Sequence, residues 1–467
     1  MNRLQRTPHN LKLVFQIVII LIFSFLVSCQ SALDSKEEIL ARIKAPSFPD
    51  KTFSITEFGA VADSISDCKP AFDKAIEACK NAGGGKVIVP AGVYYVDGPI
   101  HLESNLNLHL EKDAILRFSS NPKSYPQVLS SWEGTLLYNY SPFIYAYKKE
   151  NIAITGEGSI DGEASETFAK WNEIQKDDQM LSRQMNHSNI PLEERQFGEG
   201  HFLRPHLIQL FDCKNILVQD VTIKDSPFWC IHLLMCQNAT LQGLHYDAQN
   251  KNNDGIDPEY SRDILIENIT FNNNDDNVAI KAGRDDEGRN MKRPSENIII
   301  RNCHFKGLHA VVIGSEMSSG VRNVFVDDCD NAGYLKRGIY LKSNPDRGGQ
   351  ISDIFVNNIK FGEVLDCFMV TSNYHNEGSK FPTTIRNINI RNVSCKKAIN
   401  YGIYIKGYSS KAVSDFVIEN FKVDSASRGV FVDLAKNINF NNVFVNGEQI
   451  EWNPEKLKLN PSSDNDY

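Results

Sequence analysis

Short stretches of alternating apolar and polar residues recur along the chain from residue 151 onward, and each begins with Asn or Asp. These stretches begin at Asn151, Asn215, Asn238, Asp263, Asn297, Asn323, Asp353, Asn387, Asp415 and Asn437. Alternation with a period of two residues predicts β-strands rather than helices. Beyond Asn215 the starts are 22 to 34 residues apart, which is typical of a solenoid that adds one coil per repeat.

The repeat predicts an all-β fold, a right-handed parallel β-helix. Strands of successive coils would stack about 4.8 Å apart, and the handedness follows the general bias of parallel crossovers. Asn at the same turn of each coil is expected to form side-chain ladders. A short helix is predicted near the start, because Ser66-Asp67 precede an apolar face from Phe72 to Cys79, and Gly83-Gly84-Gly85 follow it. We expect this helix to cap the N-terminal end of the solenoid.

The first 28 residues have the pattern of a secretory signal peptide. Basic residues precede an apolar run over residues 13–27, which is short for a membrane span. Leu26-Val27-Ser28-Cys29 resembles the lipobox of bacterial lipoproteins. This resemblance implies cleavage before Cys29 and lipidation of that residue, which would anchor the protein to a membrane. An uncleaved anchor helix is the alternative.

The remaining chain is then divided by its composition. Residues 29–52 are predicted to form a lipidated tether, 53–453 a catalytic β-helix domain, and 454–467 a polar tail. Within the domain, residues 163–203 form the main insertion that does not follow the repeat, and insertions in solenoids often lie on the binding face. The lipidated protein would be located in the periplasm or on the outer-membrane surface of a Gram-negative bacterium.

Charge and cysteine content exclude several classes of function. The net charge of -8 and the lack of a basic stripe argue against nucleic acid as a partner. Nine cysteines follow Cys29, an odd number that excludes complete pairing, and several end apolar strand patterns as small buried hydrophobes do. No zinc spacing is present. We expect no cofactor, no metal and a monomer.

Candidate chemistry is concentrated in two acidic motifs. Asp254 precedes the pair Asp275-Asp276 by about 21 residues, and His309 and Lys342 follow at two further intervals of 33 residues. If each interval is one coil, these side chains form a ladder that opens on one groove. Carboxylates this close cannot all stay ionised, so one of them is expected to have a raised pKa and to serve as a general acid beside a general base.

These residues also resemble the polygalacturonase family, glycoside hydrolase family 28, over nearly all of residues 53–450. The run Asn252-Asn253-Asp254-Gly255-Ile256-Asp257 looks like the family's Asn-Thr-Asp-Gly motif, and Asp275 to Gly283 looks like its Asp-Asp-Cys-Ile-Ala-Ile-Lys-Ser-Gly block. His309 fits its histidine block. Lys342 fits the lysine of its Arg-Ile-Lys motif, in which Tyr340 replaces the arginine.

The resemblance implies inverting hydrolysis of α-galacturonosidic bonds in pectic polysaccharides or oligosaccharides. Asp275 would protonate the glycosidic oxygen, Asp254 and Asp276 would orient and activate the water, and His309 would tune the acid. Five residues are expected to bind substrate: Asn252, Lys281, Arg284, Tyr340 and Lys342. Lys and Arg outnumber Asp and Glu between residues 277 and 350, so a locally basic groove is expected, as suits a polyuronate.

Other functions remain compatible with these residues. Rhamnogalacturonan hydrolysis uses the same family architecture, a pectate-lyase-like enzyme shares the β-helix, and a glycan-binding β-helix would need no catalysis. Exo action is favoured over endo action, because residues 163–203 and 283–289 look like the inserts of the bacterial exo-acting branch, which close one end of the groove.

Overall fold

The computed structural model describes residues 33–458, so the predicted signal peptide, Cys29 and the last nine residues lie outside the described part. The chain divides into two compact units, Met1–Ser35 and Lys36–Tyr467. The second unit contains a right-handed parallel β-helix, as the sequence predicts. Its strands stack in three columns along the solenoid axis, each strand hydrogen-bonded to its equivalents in the coils before and after.

Column A carries the candidate site. Its strands are β5 (Ile100–His101), β10 (Ile144–Tyr147), β13 (Ile208–Phe211), β16 (Ile231–Leu234), β19 (Ile256–Glu259), β21 (Asn273–Ile280), β24 (Gly307–Ile313), β26 (Leu335–Lys342), the second half of β27 (Gln350–Thr371), β29 (Tyr401–Lys406) and β31 (Gly429–Asp433).

Column B lies next to it and is the longest. Its strands are β1 (Thr52–Ser54), β3 (Gly85–Val89), β6 (Leu106–Leu110), β11 (Glu150–Thr155), β14 (Lys214–Gln219), β17 (Gln237–Gln242), β20 (Arg262–Glu267), β22 (Ser295–Arg301), β25 (Val321–Asn331), the first half of β27, β28 (Thr384–Ala398), β30 (Val413–Val423) and β32 (Ala435–Val445), with β33 (Glu448–Gln449) antiparallel at the end.

Column C completes the early coils, and a separate hairpin projects from the solenoid. Column C contains β2 (Asp63–Asp67), β4 (Gly92–Val96), β7 (Ala114–Phe118), β12 (Ser159–Asp161), β15 (Thr222–Lys224) and β18 (His245–Asp247), and β23 (His304–Phe305) pairs with β25. The antiparallel hairpin consists of β8 (Gln127–Trp132) and β9 (Thr135–Tyr140).

The recurring Asn residues form the predicted ladder. The side chains of Asn105, Asn151, Asn215 and Asn238 are hydrogen-bonded one to the next at 2.7 to 2.9 Å. All four have φ between 55 and 60°, a left-handed conformation that Asn and Asp tolerate better than other residues with a side chain. The same turn in later coils uses Asp263 and the residues that follow it in register. Backbone geometry and side-chain hydrogen bonding together explain why this position repeats as Asn or Asp.

The interior is a continuous stack of apolar side chains. Ile264 pairs in register with Ala239 on one side and Ile298 on the other, and all three are completely buried. This alignment is what the period of two predicts, since alternate residues of each strand face inward. The nine cysteines after Cys29 are all buried and unpaired within residues 33–458, in agreement with their prediction as small hydrophobes.

Helices lie mainly outside the coils. They are α1 (Lys36–Arg42), α2 (Lys69–Asn81), α3 (Lys176–His187), α4 (Asp285–Met291) and α5 (Pro454–Leu457), with 3-10 turns at Ile55–Phe58, Pro122–Ser124, Phe168–Glu173, Leu192–Glu194 and Tyr374–Asn376. The predicted capping helix is α2, and its face from Phe72 to Cys79 is buried against the first coil. None of the helices within residues 33–458 is long and apolar enough to span a membrane.

The predicted tether differs from the structure over helix α1 (Lys36–Arg42). Helix α1 packs Ile39, which is completely buried, against Leu265 and Ile299 of column B. Arg42 Nη2 lies 2.7 Å from Asp263 Oδ1. The segment therefore lies against the solenoid wall and is not a free linker, because its two isoleucines fit an apolar patch that the sequence of the segment does not reveal. Likewise the predicted polar tail begins with helix α5, and Lys458 contacts Asp433 at 2.9 Å.

Candidate active site

The three aspartates and the histidine lie in neighbouring coils of column A. Ile256 pairs with Val278, which by counting along the chain places Asp254 beside Asp276. Asp276 itself pairs with His309. The carboxylate and imidazole rungs of the predicted ladder are thus present, and they line one pocket of about 250 Å³ together with Asn252 and Asp275.

The last rung differs from the prediction. His309 pairs with Arg337, and Lys342 lies opposite Thr371 at the end of β26. The coil between β24 and β26 is shorter than the 33 residues that separate His309 from Lys342, so the equal spacing was a coincidence. Lys342 still reaches the site, because its long side chain extends toward the neighbouring coils and Nζ lies 3.0 Å from Asp276 Oδ2.

Asp276 is surrounded by groups that stabilise its ionised form. His309 Nδ1 lies 2.5 Å from Asp276 Oδ1, and Arg337 Nη1 donates to His309 Nε2 at 3.1 Å. Burial acts to raise the pKa of Asp276, but Lys342 and His309 outweigh it and hold that pKa well below the ordinary value. Burial lowers the pKa of His309 to about 4, so near neutral pH the imidazole is uncharged. Since Nε2 accepts from Arg337, Nδ1 carries the hydrogen donated to Asp276.

Asp275 is the most exposed of the three aspartates, and it keeps its proton to a higher pH than a free carboxyl group does. Its Oδ1 accepts from the backbone N–H of Asp276 at 2.9 Å, and Asn252 Nδ2 donates to its Oδ2 at 3.4 Å. Burial and the charge of Asp276 raise the pKa of Asp275 to about 6. Two adjacent carboxyl groups with widely separated pKa values are the arrangement that acid/base chemistry requires.

Asp254, in the coil before the aspartate pair, is also buried. It is 3% exposed, and Lys281 Nζ lies 3.6 Å from its Oδ2. Burial and the nearby Asp257 raise its pKa well above the ordinary value. Lys281 also lies 4.4 Å from the centre of the Trp229 ring. Lys281 therefore already contacts a carboxyl group and an aromatic ring. A contact between Lys281 and substrate would compete with these two interactions.

Arg284 and Arg347 form a second layer of charge at the pocket wall. Arg284 contacts Asp285, Glu316 and Glu377, and Arg347 contacts the same three carboxylates. Lys342 and Lys281 are likewise paired. Each of these cations lies against at least one carboxylate, and six carboxyl groups line the pocket against five Lys and Arg side chains, so the pocket lining does not have the expected surplus of positive charge.

The position of Tyr340 did not follow from its sequence motif. It is 1% exposed and packs between Val312 and Met369 in a cluster on the outer side of column A. It does not border the pocket. Its neighbours Arg337 and Lys342 approach its ring at 4.8 and 5.6 Å, and the contact of Tyr340 with substrate stays a prediction. Successive residues of strand β26 face opposite sides, so Tyr340 faces outward while Leu341 faces inward.

A wall formed by three separate segments closes one side of the pocket. The tip of the β8–β9 hairpin accepts a hydrogen bond from Arg284 N to Gly134 O at 3.0 Å, and a Cβ at Gly134 would lie 2.9 Å from that nitrogen. Asn186 of α3 donates to Arg284 O at 3.1 Å and accepts from Glu287 N of α4 at 3.2 Å. The predicted insertion 163–203 thus reaches the binding face, as expected.

Several pocket residues were missed by the sequence analysis. They are Glu133, Gln179, Arg183, Trp229, Leu308, Ser315, Glu316, Arg347, Tyr374, His375 and Glu377. Glu133 accepts from Gln179 at 2.9 Å and contacts Arg183 at 3.1 Å, and Arg183 also contacts Glu377 at 3.4 Å. Many of them lie in turns and inserts outside the repeat, where periodicity gives no information. Gln179 and Arg183 lie in the insertion 163–203, which the sequence did single out as a segment but not by residue.

The same atoms could also be considered as metal ligands. One ligand atom each from Asp275, Asp276 and His309 lie within 4.8 Å of one another. However, the ammonium group of Lys342 already lies 3.0 Å from Asp276 Oδ2, and a cation there would be repelled by it. The donor set therefore fits proton transfer better than metal binding.

Comparison with known proteins agrees with this geometry. The profile of glycosyl hydrolases family 28 matches residues 79–444. The chain belongs to this family. It is 35% identical to a hyperthermoactive exopolygalacturonase from Thermotoga maritima, covering 89% of this chain and 96% of that one with a TM-score of 0.83. The family assignment makes the protein a glycoside hydrolase.

Two further members of the family, both bacterial, are similar over most of the chain. An exo-poly-alpha-D-galacturonosidase of Dickeya chrysanthemi is 27% identical over 84% of this chain and 70% of its own. An endo-polygalacturonase of Pectobacterium carotovorum is 27% identical over 78% of this chain and 86% of its own. The names describe one relative as exo-acting and the other as endo-acting. These relatives therefore do not decide whether this chain cleaves at chain ends or internally.

Proposed function

We propose that this family 28 enzyme is an inverting polygalacturonase that removes residues from the end of a galacturonan chain. The observation that carries the proposal is the contrast between Asp275, whose pKa burial and the charge of Asp276 raise to about 6, and Asp276, whose pKa Lys342 and His309 hold far lower. Both carboxyl groups line one pocket. A protonated acid and an ionised base are thus available together at mildly acidic pH, up to about 6.

The proposed roles follow from these protonation states. Asp275 protonates the glycosidic oxygen as the bond to the anomeric carbon breaks. Asp254 and Asp276 orient a water on the opposite face of the sugar and accept its proton, so the product has the inverted configuration. Asn252, which donates to Asp275, and Arg284 are placed to contact the sugar or to hold the acid in position. Lys342 acts mainly through Asp276, although its position at the pocket also suits a substrate carboxylate.

Exo action is supported by the wall at the pocket. The hairpin tip, α3 and α4 are joined by hydrogen bonds through Arg284, Asn186 and Glu287, and Leu136 N donates to Glu287 Oε1 at 2.8 Å. A groove closed by three interlocked segments admits a chain end but hinders an internal segment. Relatives described as exo-acting include the Thermotoga and Dickeya enzymes.

The product profile tests both substrate and mode. Purified enzyme is incubated with homogalacturonan and, separately, with rhamnogalacturonan fragments, and products are separated over time. We expect monomer or another single short product from homogalacturonan at the earliest times. A ladder of intermediate lengths would contradict exo action, and release from rhamnogalacturonan alone would make the enzyme a rhamnogalacturonan hydrolase.

Two other reactions are distinguished in the same digest. A pectate-lyase-like enzyme would form unsaturated uronides that absorb ultraviolet light, whereas hydrolysis forms none. A glycan-binding β-helix would bind oligosaccharide but release no reducing ends. We expect new reducing ends without ultraviolet absorbance, and the Asp275→Asn variant serves as the inactive control.

We further propose that the enzyme is a monomeric lipoprotein, anchored through Cys29 in the periplasm or at the outer-membrane surface. The support is the lipobox-like run Leu26 to Cys29, after an apolar segment of signal-peptide length. Metabolic labelling with a fatty-acid analogue should label the wild-type protein and not Cys29→Ala. Light scattering after detergent extraction measures the oligomeric state, and protease treatment of intact cells shows which side of the outer membrane the domain faces.

A further inference from the structure

Arg204 directly follows the insertion 163–203 and has no part in the mechanism above. Its side chain is completely buried. Burial lowers the pKa of the guanidinium group to about 10, so the group is charged at the mildly acidic pH where the enzyme would act. Within residues 33–458 it forms no ion pair, and all its hydrogen-bond acceptors are neutral oxygens. A buried charge without a counter-ion is costly unless its hydrogen bonds are made.

Every N–H group of Arg204 has an acceptor. A guanidinium group has five N–H donors in one plane, and this one makes five hydrogen bonds. Two go to side chains of the insertion, two to backbone carbonyl oxygens and one to a pocket residue: Gln175 Oε1 at 2.9 Å, Asn172 Oδ1 at 3.4 Å, Pro227 O at 3.2 Å, Lys251 O at 2.7 Å and Asn252 Oδ1 at 2.7 Å. The position of the guanidinium group is therefore fixed, and the group joins the insertion to the segment that precedes Asp254.

The orientation of the Asn252 amide follows from this contact. A guanidinium group only donates hydrogen bonds, so the atom of Asn252 that faces Arg204 Nη2 at 2.7 Å must be the oxygen Oδ1. The amide nitrogen Nδ2 must then face the other way, where it donates to Asp275 Oδ2 at 3.4 Å. Arg204 is thus connected to the proposed acid through one side chain.

A reversed amide would work against the acid. With Oδ1 toward Asp275, Asn252 would accept the proton of Asp275 in a hydrogen bond and would compete for it with the glycosidic oxygen. With Nδ2 toward Asp275, the bond instead stabilises the carboxylate that remains after the proton has left, as the backbone N–H of Asp276 does at 2.9 Å. The orientation of this amide therefore affects proton transfer directly.

We propose that Arg204 is a positioning residue that fixes the amide of Asn252, so that Asn252 donates to Asp275 and leaves the proton of Asp275 free for the glycosidic oxygen. During hydrolysis this proton moves from Asp275 to the leaving oxygen as the bond to the anomeric carbon breaks, and the proton of the attacking water goes to the aspartates that hold that water. Arg204 and Asn252 keep all their protons. The inference rests on the proposed role of Asp275 as the acid.

The pH profile of Arg204→Met tests this connection. Without Arg204 the Asn252 amide can rotate, so the ionised form of Asp275 loses a donor and the pKa of Asp275 rises. We therefore expect the basic limb of the kcat/KM profile to move to higher pH. On the plateau kcat should fall by about tenfold or more, since a small misplacement of a catalytic group costs up to about 10²-fold. An unmoved basic limb in a folded Arg204→Met variant would overturn the proposal.

A matched arginine separates this effect from a loss of structure. Arg293 also joins neighbouring coils, since its Nε donates to Tyr260 O at 2.9 Å and its Nη2 to Met235 O at 2.7 Å, but it does not line the pocket. Arg293→Met should lower the melting temperature and leave the basic limb unmoved. An equal movement of the limb in Arg293→Met would show that the profile reports stability, and the proposal would then be wrong.

A double-mutant cycle with Asn252→Gly separates a connection through Asn252 from a direct effect of the Arg204 charge. Glycine tolerates the left-handed φ of 60° at this position. Asn252→Gly alone should move the basic limb to higher pH, and the addition of Arg204→Met should move it no further. A further movement of the same size would show that Arg204 acts through its charge and would contradict the proposal. If Arg204→Met does not fold, Asn252→Gly decides alone, and a basic limb at the wild-type pH would exclude the connection.

Failure of the acid assignment gives a different result. Asp275→Asn, measured in parallel, should be nearly inactive, and an active Asp275→Asn would overturn the proposed function together with this inference. An inactive Asp275→Asn with an unmoved basic limb in Arg204→Met would overturn only the connection through Asn252.

Discussion

Lys342 Nζ lies 3.0 Å from Asp276 Oδ2, although the two residues are 66 positions apart and in coils that are not adjacent. Both side chains are almost completely buried. The pair fixes Asp276 in its ionised form, while Asp275 next to it retains a proton to about pH 6. A single long side chain thus separates the proton affinities of two carboxyl groups that are neighbours in sequence.

Removal of this ammonium group should impair both stability and activity at low pH. In Lys342→Met the buried Asp276 loses its partner, which typically costs about 3–5 kcal/mol in the free energy of unfolding. The pKa of Asp276 rises, so the ionised base is lost at a higher pH as pH falls, and the acidic limb of the kcat/KM profile moves to higher pH. Chemical denaturation and pH-rate profiles measure the two effects. Lys396→Met, at an exposed position, is the matched control, and an unmoved acidic limb would contradict the role of Lys342.

Replacement of the acid should abolish catalysis and leave the fold intact. Asp275→Asn cannot protonate the leaving oxygen, and general acid catalysis contributes about 10²–10⁴-fold to rate. We expect kcat to fall by about this factor. The melting temperature should be unchanged or raised, because the variant removes a carboxyl group that is unfavourably placed beside Asp276. Activity comparable to the wild type would exclude Asp275 as the acid.

The pKa of Asp275 predicts the basic limb of the pH profile. Burial and Asp276 raise this pKa to about 6, and the acid works only in its protonated form. The value of kcat/KM should therefore fall as pH rises through about 6. A profile measured on a short oligogalacturonide, whose own carboxylates ionise at much lower pH, shows the limb most clearly. A limb that lies far above this pH would point to another acid.

The hairpin tip should control the mode of action. In Gly134→Val the new Cβ would lie 2.9 Å from Arg284 N, at a backbone φ of 81° that disfavours side chains. The tip must move outward, which opens the wall. We expect kcat/KM for chain ends to fall, and the loss of viscosity per reducing end released from homogalacturonan to increase.

A glycine remote from the pocket provides the control for this experiment. A Cβ added at Gly362 of β27 would meet only the side chain of Asn331, at an ordinary contact distance of 3.5 Å, so Gly362→Ala should leave the product profile unchanged. If Gly134→Val also leaves it unchanged while the protein remains folded, the hairpin does not restrict access and exo action needs another explanation.

The inverting mechanism also predicts the anomeric form of the first product. Attack by a water held by Asp254 and Asp276, opposite the acid Asp275, converts an α-linkage to a β-product. Proton NMR of a fresh digest should show the β-anomer first, with the α-anomer appearing later by mutarotation. Immediate appearance of the α-anomer would indicate a retaining mechanism and a covalent intermediate.

Much of the fold followed from local pattern. The period of two specified strands, and the spacing of Asn residues specified one coil per repeat. The left-handed backbone at Asn151 and Asn215 explains why the marker residue recurs. The prediction of a free tether did not include helix α1, because Ile39 packs against Leu265 of a distant coil. A contact of this kind cannot be predicted from the short sequence of α1.

The candidate site was predictable to the extent that its residues belong to the repeat. Asp254 lies two residues before β19, and Asp276 and His309 lie on the next two strands of column A, so counting residues located them. Counting failed for Lys342, because coils differ in length and Arg337 is the register partner of His309. Nor did counting show that Tyr340 is buried in an outer cluster while its neighbour Lys342 reaches the pocket.

Local sequence is enough to specify the solenoid, its capping helix and the carboxylates of the site, because strand alternation and turn chemistry act over a few residues. The identity of the aspartate that keeps its proton, the closure of the pocket and the positions of Lys342 and Tyr340 are set by the folded arrangement. Those properties depend on burial and on charges from distant segments, such as the hairpin tip at Glu133 and the loop at Glu377. Side chains that are far apart in sequence meet there only after the coils have stacked.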